Sequence, residues 1–99
     1  MNVHIDIPNE QLSDFCRRHR IRKLALFGSV LRDDFMPDSD VDVLVEFEPG
    51  SVVGLRFFKI EAELSEIFGF KVDLNTPGFL SKYFRDNAVA EAKVMYDAA

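Results

Sequence analysis

The chain lacks the residues on which several classes of protein depend. It has no tryptophan and one cysteine, Cys16, which cannot form a disulfide within the chain, so a reducing compartment is expected. Only 12 Lys and Arg stand against 17 Asp and Glu, a net charge of −5, and this argues against charge-driven binding of nucleic acid. No apolar run approaches the roughly 18 residues of a membrane span. The start lacks a basic region followed by an apolar stretch, so no signal peptide is expected and the cytoplasm is the expected location.

The chain does contain enough apolar material for one modest core. Of its 99 residues, 47% are hydrophobic and ten are phenylalanine, which is too many large apolar side chains for a disordered protein. A chain of this length has little surface to spare for a second core. We therefore expect one domain, residues 1–99.

Hydrophobic periodicity predicts alternating helices and strands. In the first helix the apolar spacing i, i+3, i+4, i+7 is carried by Leu12, Phe15, Cys16 and His19. Gly69 is well placed to end a later helix. The predicted helices cover 9–20, 54–68 and 80–97, and the predicted strands cover 22–28, 41–47 and 71–74, with a short helical turn at 29–33. This order, α-β-β-α-β-α, predicts an α/β (α+β) fold in which helices pack on a small mixed sheet.

Two acids stand at the start of the second predicted strand, Asp40 directly before it and Asp42 within it. Because alternate side chains of a strand share a face, Asp40 and Asp42 point the same way, with Cα atoms roughly 7 Å apart, while Val41 and Val43 take the face that packs under helices. Two convergent carboxylates are unfavourable unless a cation neutralises them. Mg²⁺ suits them, since it binds one or two carboxylates and completes its shell with water and substrate phosphates.

Asp73 is a candidate third acid. It lies between Val72 and Leu74, the pattern of a half-buried strand. If that strand neighbours 41–47, the three carboxylates could hold two metal ions about 3.5–4 Å apart, which would clamp the attacking and leaving oxygens of an in-line displacement. Asp73 could also accept the proton of an incoming hydroxyl.

A glycine-serine corner supplies the candidate phosphate site. Gly28 lets the backbone approach a phosphate closely, the N–H groups of the following turn can point at a triphosphate, and Ser29 can add a hydrogen bond. Arg32 lies one turn further on and could neutralise a phosphate. The chain has no Gly-x4-Gly-Lys-Ser/Thr, so this is not a P-loop.

The combination Gly28-Ser29-x10-Asp40-x-Asp42 is expected by chance in roughly one chain per thousand of this length, from average residue usage. With Arg32 and the later acid Asp73, it resembles the minimal nucleotidyltransferases of the DNA polymerase β-like superfamily, over about residues 10–97. It is most similar to the small antitoxin members that are often encoded beside an all-helical HEPN-type toxin. In one respect it departs from them, because Leu31 and Asp33 flank Arg32 where a small residue and a glycine are common.

The resemblance implies a polymerase β-like core and a function. Such proteins transfer AMP from ATP to a tyrosine of the partner toxin, with magnesium, and so silence it. It implies catalytic and metal-binding roles for Asp40, Asp42 and Asp73, and nucleotide-binding roles for Gly28, Ser29 and Arg32.

Plainer interpretations of the same residues stay open. The acids could be solvated strand residues, Gly28-Ser29 could be an ordinary strand-ending turn, and Arg32 could be a surface charge. Ser39 is expected to brace the turn before Asp40 rather than touch substrate.

Two other functions also stay open. The chain could be a non-catalytic antitoxin that neutralises its partner by forming a complex. It could instead transfer a nucleotide to a small molecule or an RNA end, in which case a homo-oligomer could supply the missing wall of the site. The acceptor, the base and the oligomeric state, homomeric or heteromeric, are not fixed by the sequence.

Overall fold

The computed structural model describes residues 5, 7–31, 35–36, 38–51, 53–76 and 90–98. In chain order its elements are helix α1 (Asn9–Arg18), strand β1 (Ile21–Phe27), a 3-10 helix (Gly28–Leu31), strand β2 (Val41–Phe47), helix α2 (Arg56–Phe68), strand β3 (Val72–Asn75) and strand β4 (Lys93–Asp97). Over these ranges, no helix combines the length and the apolar character that crossing a membrane requires.

The strands that the structure describes form one mixed sheet in the order β3-β2-β1-β4. Strand β1 runs antiparallel to both β2 and β4. Strand β2 runs parallel to β3, and the connection between them passes through α2. A parallel pair needs such a crossover, because a tight turn can join only antiparallel strands. The predicted mixed sheet with helices packed on it is confirmed.

Both helices pack on one face of the sheet. The core between them has a contribution from each element, with α1 supplying Phe15, α2 supplying Leu64 and β2 supplying Val43, all three with no exposed surface. Cys16 lies in the same core, as predicted. Since side chains alternate along a strand, the residues between the buried valines of β2 lie on the opposite face.

Local backbone conformation explains where the helices end. Gly69 follows α2 with φ +74° and donates its N–H to the Ser65 carbonyl, which is the left-handed glycine cap that its position predicted. Helix α1 ends at Arg18 rather than continuing to residue 20, because Arg20 has φ +56° and a left-handed residue cannot continue a right-handed helix.

The predicted helix over 80–97 is wrong in its last part. Residues 90–91 are helical, but Lys93–Asp97 form β4 and pair with β1, and residues 77–89 lie outside the described part of the chain. The run Val94-Met95-Tyr96 fits either helix or strand by periodicity. This run forms a strand because it pairs with the side of β1 that does not face β2. The Ala98 N–H extends the pairing by donating to the Arg22 carbonyl at 2.9 Å.

The carboxylate of one α2 residue connects that helix to the end of α1. Glu63 of α2 accepts a hydrogen bond from Arg18 at 2.6 Å and lies 3.2 Å from the His19 ring. The Arg18 hydrogen bond holds the pKa of the Glu63 carboxyl below its usual 4.5, and His19 adds to this against the opposing effect of partial burial. A carboxylate whose pKa is lowered on folding stabilises the fold above its unfolded pKa, and this stabilisation is lost as pH falls through the folded pKa.

Glu63→Gln should therefore lower the free energy of unfolding at pH 7 and have a diminishing effect as pH falls below about 4.5. Urea unfolding of wild type and variant at pH 7 and in steps down to pH 3 measures the difference. Asp14→Asn is the matched control, since Asp14 pairs with Arg17 on the exposed surface of α1 alone and such pairs contribute little. An E63Q effect that is equal at all these pH values would contradict the assignment.

Candidate active site

Gly28 lies where β1 ends and its backbone meets the Asp42 side chain. The glycine has φ +76°, and a Cβ built on it would be 3.1 Å from the Asp42 Cγ and would overlap the Oδ2 oxygen. Pairing of β1 with β2 creates this contact, because Phe27 is the Cα partner of Asp42. No other residue type fits here without moving the carboxylate, so the glycine is required by space as well as by backbone conformation.

Asp42 and Asp73 are register partners on adjacent parallel strands. Neighbouring strands lie about 4.8 Å apart, and the residues that flank each acid, such as Val43 and Leu74, are buried against the helices. Both acids therefore lie on the sheet face opposite the helices, Asp42 half-buried and Asp73 exposed. The expectation that the strand carrying Asp73 neighbours β2 is confirmed.

Asp40 precedes β2 and is exposed. The turn before it is held by Ser39, whose Oγ accepts the Met36 N–H at 3.1 Å and whose own N–H donates to the Met36 carbonyl at 2.9 Å. Ser39 thus braces this turn, as predicted. Directly after Asp40, the Val41 N–H donates to the Lys71 carbonyl at 2.8 Å, so the chain around Asp40 is fixed to the beginning of β3.

Two predicted nucleotide-binding residues remain. Ser29 belongs to the 3-10 helix Gly28–Leu31, which begins directly after β1, and Arg32 lies outside the described residues. The predicted phosphate contacts of both stay predictions.

The acids do not form a preformed three-ligand cage. Within the described ranges, no three His, Cys, Asp or Glu side chains come close enough to hold one ion. The chemistry of the donor set nevertheless fits Mg²⁺, which binds proteins through one or two carboxylates and takes further oxygens from substrate phosphates. The side-by-side pair Asp42 and Asp73 meets that requirement.

Sequence reasoning missed two residues that hold β3. Glu61 and Ser65 of α2 accept hydrogen bonds from the Leu74 and Val72 N–H groups at 2.8 and 3.0 Å. The only signal in the sequence is that the two are four residues apart beside the buried Ile60 and Leu64. That spacing places them on one side of the helix, but it does not identify the strand that they reach.

Comparison with known proteins places this chain in a family. The model of the nucleotidyltransferase domain matches residues 9–95, a range that includes every predicted site residue. The chain belongs to the nucleotidyltransferase domain family. The predicted family and the predicted enzyme class are both confirmed by this match.

Two archaeal relatives of this nucleotidyltransferase carry the name protein adenylyltransferase. One is assigned the name protein adenylyltransferase MJ0128 and comes from Methanocaldococcus jannaschii. It is 32% identical over 89 residues, which cover 82% of this chain and 90% of that protein. The other, protein adenylyltransferase MntA of Thermococcus cleftensis, is 40% identical over 57 residues, which cover 58% of this chain and 57% of that protein.

Solved structures share the fold. A minimal nucleotidyltransferase is 32% identical with a TM-score of 0.71 and 86% of each chain covered. A toxin-antitoxin structure with AMP-PNP has a TM-score of 0.74 at 17% identity, covering 92% of this chain and 74% of that one. A tri-AMPylated HEPN toxin of Shewanella oneidensis in complex with its MNT antitoxin has a TM-score of 0.66 at 18% identity, covering 90% and 69%. At these low identities the last two show likeness of fold alone.

Gly28→Ala should reduce the rate of nucleotidyl transfer by roughly 100-fold, the effect expected when a reacting group is displaced by about 1 Å. Gly69→Ala is the matched control, because its φ of +74° imposes the same backbone strain while nothing lies within 4 Å of its added Cβ. Both variants should lose about 1–2 kcal/mol of stability from the left-handed backbone.

The measurement is the initial transfer rate of each variant under conditions where both are folded by circular dichroism. Equal losses of rate in the two variants would attribute the effect to backbone strain and remove the argument that Asp42 needs the space at Gly28.

Proposed function

We propose that this chain is a magnesium-dependent protein adenylyltransferase that transfers AMP from ATP to a tyrosine hydroxyl of a HEPN-type toxin and so acts as its antitoxin. The observation that carries the proposal is the placement of Asp42 against the Gly28 backbone and beside Asp73 on the adjacent strand. That placement occurs in a chain 32% identical to a protein named as a protein adenylyltransferase. The cytoplasm, where ATP is available, is the proposed location.

The proposed partner and substrate draw support from proteins of the same fold. One such structure is a toxin-antitoxin with AMP-PNP, an ATP analogue. Another is the complex of an AMPylated HEPN toxin with its antitoxin. A helical toxin with an acceptor tyrosine is therefore the proposed partner here.

In the proposed reaction the tyrosine oxygen attacks the α-phosphorus of ATP, the bond between the α-phosphorus and the bridging oxygen breaks, and pyrophosphate leaves. Asp73 accepts the proton of the tyrosine hydroxyl. Gly28 admits the polyphosphate close to the backbone, and Ser29 and Arg32 contact it. Asp40, Asp42 and Asp73 would hold Mg²⁺, which supplies positive charge that neutralises the phosphate oxygens.

A second candidate function has its own observation. At the beginning of α2, Leu55 and Phe58 are 85% and 66% exposed. Beside them is an apolar hollow of about 380 Å³ lined by Phe47, Val53, Gly54, Phe57, Phe58 and Thr76. Exposed apolar area of this kind favours protein binding, so the chain could silence its partner by forming a complex without catalysis.

Labelled transfer separates the two functions. With α-labelled ATP, Mg²⁺ and the purified partner, wild type should place label on the partner, while Asp42→Ala should lose at least about 100-fold in rate. Asp38→Asn is the control, since it removes an exposed acid of the loop before Asp40 and should transfer at the wild-type rate. Replacement of the acceptor tyrosine by phenylalanine should abolish labelling.

Transfer by wild type that Asp42→Ala leaves unchanged would overturn the catalytic assignment. Silencing of the toxin by wild type in the absence of ATP, with no labelled transfer when ATP is present, would establish the binding function in its place.

Removal of divalent metal tests whether the transfer depends on magnesium. Chelation by EDTA should stop the transfer, and Mg²⁺ added in excess should restore it, because adjacent carboxylates and a polyphosphate repel each other without a cation. The same restoration should fail in Asp42→Ala. Undiminished transfer in EDTA would contradict magnesium dependence.

A further inference from the structure

Among the strands that the structure describes, β3 lies at the end of the sheet order and has β2 as its one neighbour. It is four residues long, and β2 covers one of its two sides. Successive N–H groups of a strand point to opposite sides. The Lys71 carbonyl accepts a hydrogen bond from β2. By alternation, the backbone N–H group of Asp73 also points towards β2, whereas the N–H groups of Val72 and Leu74 point away from it.

Helix α2 supplies acceptors for these two outward N–H groups. The Ser65 Oγ accepts from Val72 at 3.0 Å, and the Glu61 Oε2 accepts from Leu74 at 2.8 Å. The Ser65 hydroxyl donates its own proton to the Glu61 carbonyl at 2.9 Å, which leaves its lone pairs for Val72. Both acceptor side chains are partly buried.

The spacing of the two acceptors matches that of the two donors. Residues four apart in a helix are separated by about 6 Å along its axis, and residues two apart in a strand by about 6.6 Å. Glu61 and Ser65 therefore meet Leu74 and Val72 in register, and these two side chains accept the hydrogen bonds that a further strand beside β3 would accept.

The direction of the Asp73 side chain depends on how β3 is turned about its own axis. Val72 and Leu74 are 2% and 4% exposed on the helix-covered face, and Asp73 is the residue between them on the opposite face. Rotation of so short a strand about its axis would swing the carboxylate relative to Asp42. Bonds on both sides of β3, to β2 and to α2, oppose that rotation.

We propose that Glu61 and Ser65 are positioning residues that hold β3 so that Asp73 faces the bound metal and nucleotide beside Asp42. The role rests on the proposed function of Asp73. Removing a residue that orients a metal ligand typically lowers metal affinity or activity by roughly 10–100-fold.

Glu61→Ala and Glu61→Gln test the proposal, with Glu66→Ala as the control, since Glu66 is an exposed acid of the same helix. Two measurements do not need transfer activity. One is amide hydrogen exchange at Leu74. The other is the concentration of Mn²⁺ that half-broadens the Asp73 amide resonance in the presence of a non-hydrolysable ATP analogue.

In Glu61→Ala, exchange at Leu74 should rise at least about tenfold, as a lost hydrogen bond at an opened amide allows. The half-broadening Mn²⁺ concentration should rise roughly 10–100-fold. Glu61→Gln keeps a side-chain oxygen acceptor, so both values should stay near wild type, as they should in Glu66→Ala. In the transfer assay, kcat of Glu61→Ala should fall while KM for ATP holds.

Ser65→Ala is the second variant and should show the same effects with exchange read at Val72. A folded Glu61→Ala protein with wild-type exchange or wild-type Mn²⁺ response would overturn the proposal. So would a Glu61→Gln protein as impaired as Glu61→Ala, because charge rather than the hydrogen bond would then be responsible. Absence of any transfer by wild type would overturn the proposed function instead, and the exchange and Mn²⁺ results would still decide this proposal.

Discussion

The parallel pairing of β2 with β3 is the constraint on which the rest of the site depends. It sets Asp42 opposite Asp73 although 30 residues of chain lie between them. Because strand side chains alternate, a slip of one residue in this register would turn Asp73 towards the helices and bring a buried apolar side chain to the open face. The burial of Val72 and Leu74 excludes that slip, so packing on one face of the sheet fixes the chemistry on the other.

Alternate side chains of each strand point to opposite faces of the sheet, and the two faces need different kinds of side chain. The helix-covered face needs apolar side chains that fill space, which the valines of β2 supply. The opposite face carries the half-buried Asp42 and the exposed Asp73, beside a smaller buried cluster of Phe27 and Leu44. At Gly28 the two requirements meet, since the strand must end without a side chain for the Asp42 carboxylate to lie against its backbone.

Local sequence patterns were sufficient to predict much of the fold and of the candidate site. Alternation around Asp42 and around Asp73 predicted that each acid lies on the face opposite the helices, and both strands formed where expected. The turn at Ser39 and the cap at Gly69 were also local and were predicted correctly. Strand β4 was missed because Val94, Met95 and Tyr96 suit helix and strand alike, and only the distant partner β1 decides. The bonds that Glu61 and Ser65 accept were missed for the same reason, since the spacing of the two residues in the helix does not identify the remote backbone that they reach.

The occupied outer side of β3 also determines how this sheet can grow. An exposed edge strand offers unpaired backbone groups to any other extended chain and invites uncontrolled association. Here an incoming strand would have to expel a hydroxyl and a carboxylate before it could pair with β3. The margin of the sheet nearest the acids is thereby shielded from β-augmentation, so a partner that reaches the acids does not do so by adding a strand to β3.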